Sequence, residues 1–557
     1  MSKFTKYDQE MLEIFRDPVK WATYHLGEAP RWYQAQILRH PHHRKVLRCG
    51  RRVGKCIEGS QRILNPQTGS YETIESLYQK QKKESLSLIT LNDHYQLEPS
   101  QALAIEDNGV KETFLVRTKY GAEVILTGNH PVLTIDGWVE VDALKIGDRI
   151  ATPKALPYFG SNTLSEAEVK WMAYLLAGGY VKGSKLTFHC ANEEIAKDFQ
   201  SAAQSLGYYV AKQSGSQSTY HIYLPSTTSL SFLEERKIPD VVFTLTPSQI
   251  ALFLRCLYSI DGWIHAGTRP EIGYLSNSPS LIKDMKHLLL RFGVISNATT
   301  KKKRYKGEVK EYYQLIIHRK EDMLRFLEII GMEGKDTSSL LKRLEEVEAT
   351  EHTIPKEIWK YIEQERKEKR MSKSYVAGSK DERLRMNMAP SVSKVKIYAE
   401  NLQSAFLYDI AHADVIWEEV TDIIPMGMRQ TYDVYVPETH NLVVEDILVH
   451  NTWTMCAHML WVAFTCNGGT EIKKGATCVV ATPYDNQARL IFDQLRTFIE
   501  NSPILQESVK SITKNPYVIE FKNKSVIRLF TAGTRSGAEG GSLRGQKASW
   551  LYMDKRA

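Results

Sequence analysis

The spacing of hydrophobic positions changes several times along this 557-residue chain. From Lys45 a short apolar run leads into the basic, glycine-containing turn Gly50-Arg51-Arg52-Val53-Gly54-Lys55. The residues after Cys56 lack the apolar period of a helix. Between about residues 159 and 393 strand alternation gives way to helical spacing, most clearly over residues 166–181 and 250–264, while residues 335–395 read as helical and then loose and polar. Strand character resumes over residues 415–424, and residues 432–451 alternate like a hairpin. Helical spacing returns over residues 452–464, followed by a buried strand, polar turn and helix over 476–489 and an apolar strand at 550–554 that ends in Asp554. The pattern predicts a strand-rich region with a helical region looped out of it, set between two pieces of α/β sequence.

Composition narrows this picture. With 42% hydrophobic and 25% charged residues the chain has the makings of packed domains rather than of a disordered tail. No stretch approaches the roughly 20 apolar residues that span a bilayer, and the first residues lack a signal peptide's apolar segment, so no membrane partner and a cytoplasmic location are expected. The seven cysteines, an odd number, include no Cys-x-x-Cys pair, so neither a disulfide framework nor a zinc site is suggested and any important cysteine is expected to act as a thiol. A formal charge of +8 agrees with nucleic-acid contact without requiring it.

The turn before Cys56 is most of a phosphate-binding loop. Such a loop needs glycines for close approach of backbone amides to phosphate, a lysine for the β/γ-phosphates, and then a Ser or Thr hydroxyl for Mg²⁺. Here a thiol, a poor ligand for a hard cation, follows Lys55. Deleting residues 56–451 would join Lys55 to Thr452 and supply both the hydroxyl and the helix. Together with the strand ending in Asp554, the repaired flanks resemble the ATPase domain of a viral DNA-packaging terminase large subunit. That resemblance implies Gln34 as an adenine contact, Gly50, Arg51, Arg52, Gly54, Lys55 and Thr452 around the phosphates, and Asp554 beside the Mg²⁺ of bound ATP. It also implies DNA, portal and other terminase subunits as partners in a phage-infected cell. Two departures stand out: Cys49 occupies the place of the loop's first glycine, and Lys555 that of the acid that activates water.

The excised span has the chemistry that its removal requires. Its first residue is the nucleophile Cys56, its last is Asn451, whose side chain can cyclise, and a second nucleophile, Thr452, follows at once. Thr127-Gly-Asn129-His130 and the closing His450-Asn451 resemble the junction blocks of inteins, the self-splicing Hint domains. The resemblance implies that His130 protonates the leaving amide nitrogen, that Thr127 and Asn129 polarise the first scissile bond, that Asp433 and His440 are acid/base groups, and that His450 assists asparagine cyclisation. It implies no cofactor for splicing. Taken singly, each block is ordinary sequence. Their ends coincide with the two points at which an interrupted phosphate loop must be cut to be repaired.

Inside this span, residues 166–181 and 250–264 resemble the paired helices of LAGLIDADG homing endonucleases, each of which ends in a metal-binding acid before glycine. Asp261 supplies one acid; Gly178 stands where the other belongs. The resemblance therefore implies an endonuclease fold that lacks one of its two Mg²⁺ carboxylates and has lost specific double-strand cleavage. A working site-specific homing endonuclease is the rival reading. The basic runs at residues 301–306 and 367–370 read equally well as phosphate contacts and as solvated loops. The expected architecture is multi-domain: an all-β Hint domain from residues 56–155 and 396–451, an α+β LAGLIDADG-like insert over 156–395, and halves of an α/β P-loop ATPase at 1–55 and 452–557.

Overall fold

The structure is a computed structural model, and it describes residues 11, 13–26, 56–81, 86–102, 104–182, 185–224, 230–305, 308–378, 386–436, 439, 441–450, 454–465, 475–482, 491–492, 495–496, 498–500, 502–514, 516–531 and 550–553. Two compact units emerge, one from residues 54–451 and one from residues 1–53 with 452–557.

In the first unit the leading strands are β1 (Ile57–Glu58), β2 (Arg62–Leu64), β3 (Tyr71–Thr73), β4 (Leu86–Leu91), β5 (Leu97–Ala102), β6 (Ala104–Thr118), β7 (Glu123–Thr127), β8 (Pro131–Thr134), β9 (Gly137–Glu140) and β10 (Arg149–Pro153). A helical insert follows. Helix α1 (Glu166–Gly178) leads into β11 (Gly179–Lys182) and β12 (Lys185–His189), then α2 (Glu193–Ser205), β13 (Tyr209–Lys212) and β14 (Thr219–Tyr223). The same succession recurs as α3 (Pro247–Asp261), β15 (Gly262–His265), β16 (Glu271–Ser276), α4 (Pro279–Arg291), β17 (Asn297–Tyr305) and β18 (Glu308–Ile317). The two four-stranded sheets have the same order, β11-β12-β14-β13 and β15-β16-β18-β17, so the insert contains a structural repeat that the sequence pattern shows only at α1 and α3. Helices α1 and α3 pack against each other, and Ala173, Leu175 and Leu176 on one and Ile250, Phe253, Leu254 and Leu257 on the other are fully buried. Their starts are built differently: Ser165 closes a capping box with Glu168 at α1, whereas α3 opens on Pro247 with no side-chain cap from Thr246.

The basic residues Lys301, Lys302 and Lys303 lie on the long β17–β18 ribbon. The stretch that reads as loose is helical over Ser338–Glu346, Ile358–Glu368, Lys373–Ala377, Val392–Leu402 and Ala405–His412. This corrects the expected return to the β domain at residue 396, which falls inside a helix. Val395, Tyr398, Ala399 and Leu402 repeat at helical spacing and are buried, which holds those residues to the helical region. Strand structure returns at Val415.

From there β19 (Val415–Tyr435), β20 (Asn441–Val444) and β21 (Ile447–His450) complete a nine-stranded sheet in the order β1-β7-β6-β19-β10-β8-β21-β20, with β9 on β8. Strand β19, 21 residues long, pairs with β6 along one stretch and with β10 along another, and so joins the early and late parts of the β domain. Its core holds Ile57, Val116, Val124, Leu126, Val132, Ile150, Val420, Val434, Val444, Ile447 and Val449.

The second unit is α/β. Strands β22 (Thr477–Thr482), β23 (Val509–Lys514), β24 (Tyr517–Phe521), β25 (Val526–Thr531) and β26 (Trp550–Met553) form a sheet ordered β23-β24-β25-β22-β26, in which β22 runs parallel to both β25 and β26. Trp21 and Ala22 from the early flank share one core with Met459, Leu460 and Val462 from the late flank. The two flanks thus fold as one body although almost 400 residues separate them in sequence. Among the described residues no helix is long and apolar enough to cross a membrane.

Candidate functional site

Cys56 is fully buried at the entrance to β1. Strand β1 is held between two neighbours, with Ile57 opposite Leu126 of β7 and opposite Tyr432 of β19. The turn after β7 then brings its polar residues onto the cysteine. The Thr127 backbone N–H donates to the Cys56 carbonyl at 3.0 Å. The Thr127 hydroxyl accepts from the Cys56 N–H at 3.1 Å and lies 3.3 Å from the Cys56 carbonyl. His130 Nδ1 is 3.2 Å from the same carbonyl. Gly128 lies between them, and a Cβ there would meet the exposed Asp142 carboxylate at 2.0 Å and push it aside.

The thiol is met from the other side by residues of β6 and β19. Lys111 Nζ lies 2.7 Å and Asn108 Nδ2 3.2 Å from Cys56 Sγ. The register of β6 against β19 slips between Gln430 and Tyr432, and this bulge sits opposite Asn108 and Gly109. Bulges of this kind re-aim side chains beside active sites. Here the Thr431 hydroxyl donates to the Gly109 carbonyl at 2.8 Å. Burial, and then the Asp433 carboxylate, push the Cys56 thiol up to about 11, against the pull of Lys111 and the Thr431 hydroxyl.

The expected residues Cys56, Thr127, His130 and Asp433 therefore come together. Asn129 is half-buried in the same turn, with no described hydrogen bond to Cys56. His130 contacts the carbonyl of Cys56, whereas the amide nitrogen it was expected to protonate is met by Thr127. Lys111 and Asn108 were missed. Lys111 shares the inward parity of β6 with buried Thr113 and Leu115, so a lysine at that parity was the available signal. Gln34, Gly50, Arg51, Arg52, Gly54, Lys55, His440, Asn451, Thr452 and Asp554 lie outside the described residues, and for His450 only its place in β21 is described.

At the ends of the paired helices the chemistry diverges. Asp261 closes α3 with an exposed face amid dense neighbours. Burial pushes its carboxyl up to about 6, with Arg236, Lys335 and His189 pulling it down, and water at the exposed face limits that shift. Gly178 closes α1 without a side chain. A Cβ there would stand 2.6 Å from the His189 carbonyl and 2.7 Å from the Phe188 ring. Among the described residues no three His, Cys, Asp or Glu gather as a metal site would require. One carboxylate facing three basic side chains does not fit the Mg²⁺ implied for an endonuclease.

The family described as Intein splicing domain matches residues 64–451. Curated relatives include "Replicative DNA helicase DnaB" of Synechocystis sp., 25% identical across 74% of this chain and 51% of that protein, and that of Rhodothermus marinus, 27% identical across 66% and 43%. "Protein RecA" of Mycobacterium tuberculosis is 23% identical across 71% and 56%. The chain spans about half the length of the curated relatives it matches. Among solved structures, a DnaB intein from Synechocystis sp. is similar at 11% identity, 72% and 99% coverage and a TM-score of 0.24, and the N-terminal LAGLIDADG domain of DUF199/WhiA at 15%, 31% and 86% with 0.23. At such scores the chains do not superpose as wholes.

Proposed function

This chain belongs to the intein splicing-domain family, matched over well more than half its length, and from that premise we propose that it excises residues 56–451 and joins Lys55 to Thr452. Convergence of Thr127, His130, Asn108 and Lys111 on Cys56 supports the reading. In the first step the Cys56 sulfur attacks the Lys55 carbonyl carbon, a C–S bond forms, the Lys55–Cys56 C–N bond breaks, and the freed Cys56 nitrogen takes a proton. The Thr127 hydroxyl polarises the amide, and the Lys111 ammonium and Asn108 amide stabilise the attacking sulfur as it sheds its proton. His130 supplies the proton to the nitrogen, and Asp433 accepts that of the thiol.

The Thr452 oxygen then displaces sulfur from the acyl carbon, giving an ester and regenerating the thiol. The Asn451 side-chain nitrogen attacks its own main-chain carbonyl, closing a succinimide and releasing the Thr452 amine, with His450 and His440 assisting. That amine displaces the ester oxygen to leave a Lys55–Thr452 peptide bond. Each step exchanges one acyl bond for another, so no cofactor is consumed.

For the host we favour the terminase-type ATPase that the flanking motifs resemble, acting on DNA with ATP and Mg²⁺ held by Gln34, the rebuilt loop and Asp554. A replicative helicase is the second reading, favoured by the names of the relatives. Those relatives also include RecA, a "Replication factor C small subunit" and an aminotransferase. Names this diverse point to a shared insert rather than to a shared host. Stimulation of the ligated product's ATPase by forked DNA rather than by duplex ends would favour the helicase.

Intact mass of the reduced, purified chain tests the splicing reading. Two products are expected, residues 56–451 alone and residues 1–55 joined to 452–557; a single undiminished species overturns it. Nucleotide affinity is expected only after ligation, since Lys55 and Thr452 are apart in the precursor.

A further inference from the structure

The two-residue turn Glu445-Asp446 joins β20 to β21, with Val444 paired to Ile447. Both turn residues have left-handed backbones, φ 48° and 61°. A turn of this shape normally calls on Asn or Gly, and side chains such as these stay in it only when the surroundings hold them there. Both are almost fully buried. The surroundings that hold them come from β2 and β3 on one side and from helix α4 of the insert on the other.

Glu445 accepts from the Arg62 N–H at 3.0 Å and from the Tyr71 hydroxyl at 2.8 Å, and Lys283 of α4 lies 3.1 Å from it. Asp446 meets His287 Nδ1 of α4 at 2.8 Å. Arg291 Nε donates to His287 Nε2 at 3.1 Å, which makes Nδ1 the protonated nitrogen and directs its hydrogen at Asp446. Burial, which lowers the pKa of His287, keeps the ring neutral in that arrangement. The other groups of Arg291 donate to the carbonyls of Phe243 and of Gly69, the latter in the β2–β3 turn. Arg62 pairs with Asp284 of α4 at 2.6 Å and lies over the Tyr71 ring, and that ring stacks on His287 with centroids 3.7 Å apart. Three buried acids, Asp284, Glu445 and Asp446, are thus balanced by cations drawn from both the β domain and the insert.

This turn lies at the far end of a hairpin whose second strand runs to His450, immediately before Asn451. Along that strand Val449 pairs with Val132 of β8, two residues beyond His130. The angle of the hairpin therefore sets where the chain enters the last junction relative to the first. We propose that helix α4 is a clamp of the splicing machinery: His287, with Asp284 and Arg291 behind it, holds the Glu445-Asp446 turn so that β21 presents Asn451 for cyclisation. The insert then serves splicing even with its Gly178 half stripped of an acid. His287 acts as a positioning residue, through the hairpin and not on the reacting atoms.

The inference rests on the splicing reading, so each junction is tested separately in the full chain. In a Cys56→Ala background only cleavage after Asn451 remains; in an Asn451→Ala background only thiol-induced cleavage before Cys56 remains. His287→Ala is expected to slow the first by about tenfold or more, as misplacement of a reacting group does, and to leave the second within about twofold. His287→Asn, whose amide can donate from nearly the position of Nδ1, is expected to restore most of the lost rate. An unchanged rate after Asn451 overturns the clamp, as does an equal loss at both junctions, which would mean that the network only holds the fold. If the unaltered chain yields no ligated product, splicing itself is the reading that fails; if it ligates but Cys56→Ala shows no cleavage after Asn451, the His287 variants are compared by the rate of ligation against that of thiol-induced cleavage before Cys56.

Discussion

The site around Cys56 and the ends of the paired helices α1 and α3 share one chain and have parted company chemically. At Cys56, β6, β19 and the turn after β7 converge hydrogen-bonding groups on one sulfur and the backbone of one residue. At the helix ends the fold repeats faithfully, yet one twin ends in Asp261 and the other in Gly178. A repeated backbone need not carry repeated chemistry, because packing depends on the buried helix faces and not on the last residue. Function is therefore read from the meeting of polar groups, not from the repeat.

Five tests bear on this contrast. The largest effect is expected from Cys56→Ala or Asn451→Ala, either of which abolishes ligation by intact mass, while Asp261→Ala leaves it untouched. Next, Lys111→Met removes the cation beside the sulfur and is expected to slow thiol-induced cleavage by about tenfold or more. A rate equal to wild type at pH 7.5 would make Lys111 a bystander.

The third test is pH. The Cys56 thiol, pushed up by burial and Asp433 to about 11, is mostly protonated at neutral pH. Its thiolate fraction climbs by about tenfold per pH unit below that value, so N-terminal cleavage should rise steadily between about pH 7 and 9. A flat profile would mean that thiolate formation does not limit the step.

The smallest effects belong to the helix ends. Gly178→Asp puts a Cβ into the His189 carbonyl and Phe188 ring, and should destabilise by about 1–3 kcal/mol without bringing DNA cleavage, measured by denaturant melts and plasmid nicking. Asp261 has a folded-state pKa of about 6, above its ordinary 3.8. Its ionisation therefore costs stability as pH rises through that range and costs nothing below it. Asp261→Asn should gain less than about 1 kcal/mol at pH 7.5, after allowance for its exposed face, and nothing at pH 3.5. A loss of stability at pH 7.5 would point to a bound cation in its place.

The turn at Cys56 was legible in the sequence because it is local: Thr127 to His130 is one contiguous block, and the structure brings Thr127 and His130 onto Cys56, whereas Asn451 and Thr452 lie outside the described residues. The absence of an acid at Gly178 was legible for the same reason. Asn108 was not, since the register slip falls opposite Asn108 and Gly109, and Lys111 was signalled only by its inward parity in β6. The clamp was out of reach too, its charges being spread over Arg62, Asp284, His287 and Glu445 and joined only by packing. The boundary at residue 396 was misplaced because the polar residues after 377 obscure a helix that packs its Val395, Tyr398 and Leu402 inward.

Sequencing of the new junction by tandem mass spectrometry after chymotryptic digestion tests ligation most directly. A peptide that reads Val53-Gly54-Lys55-Thr452-Trp453 is the expected result. Peptides in which Lys55 is followed only by Cys56, and Asn451 only by Thr452, would contradict the account.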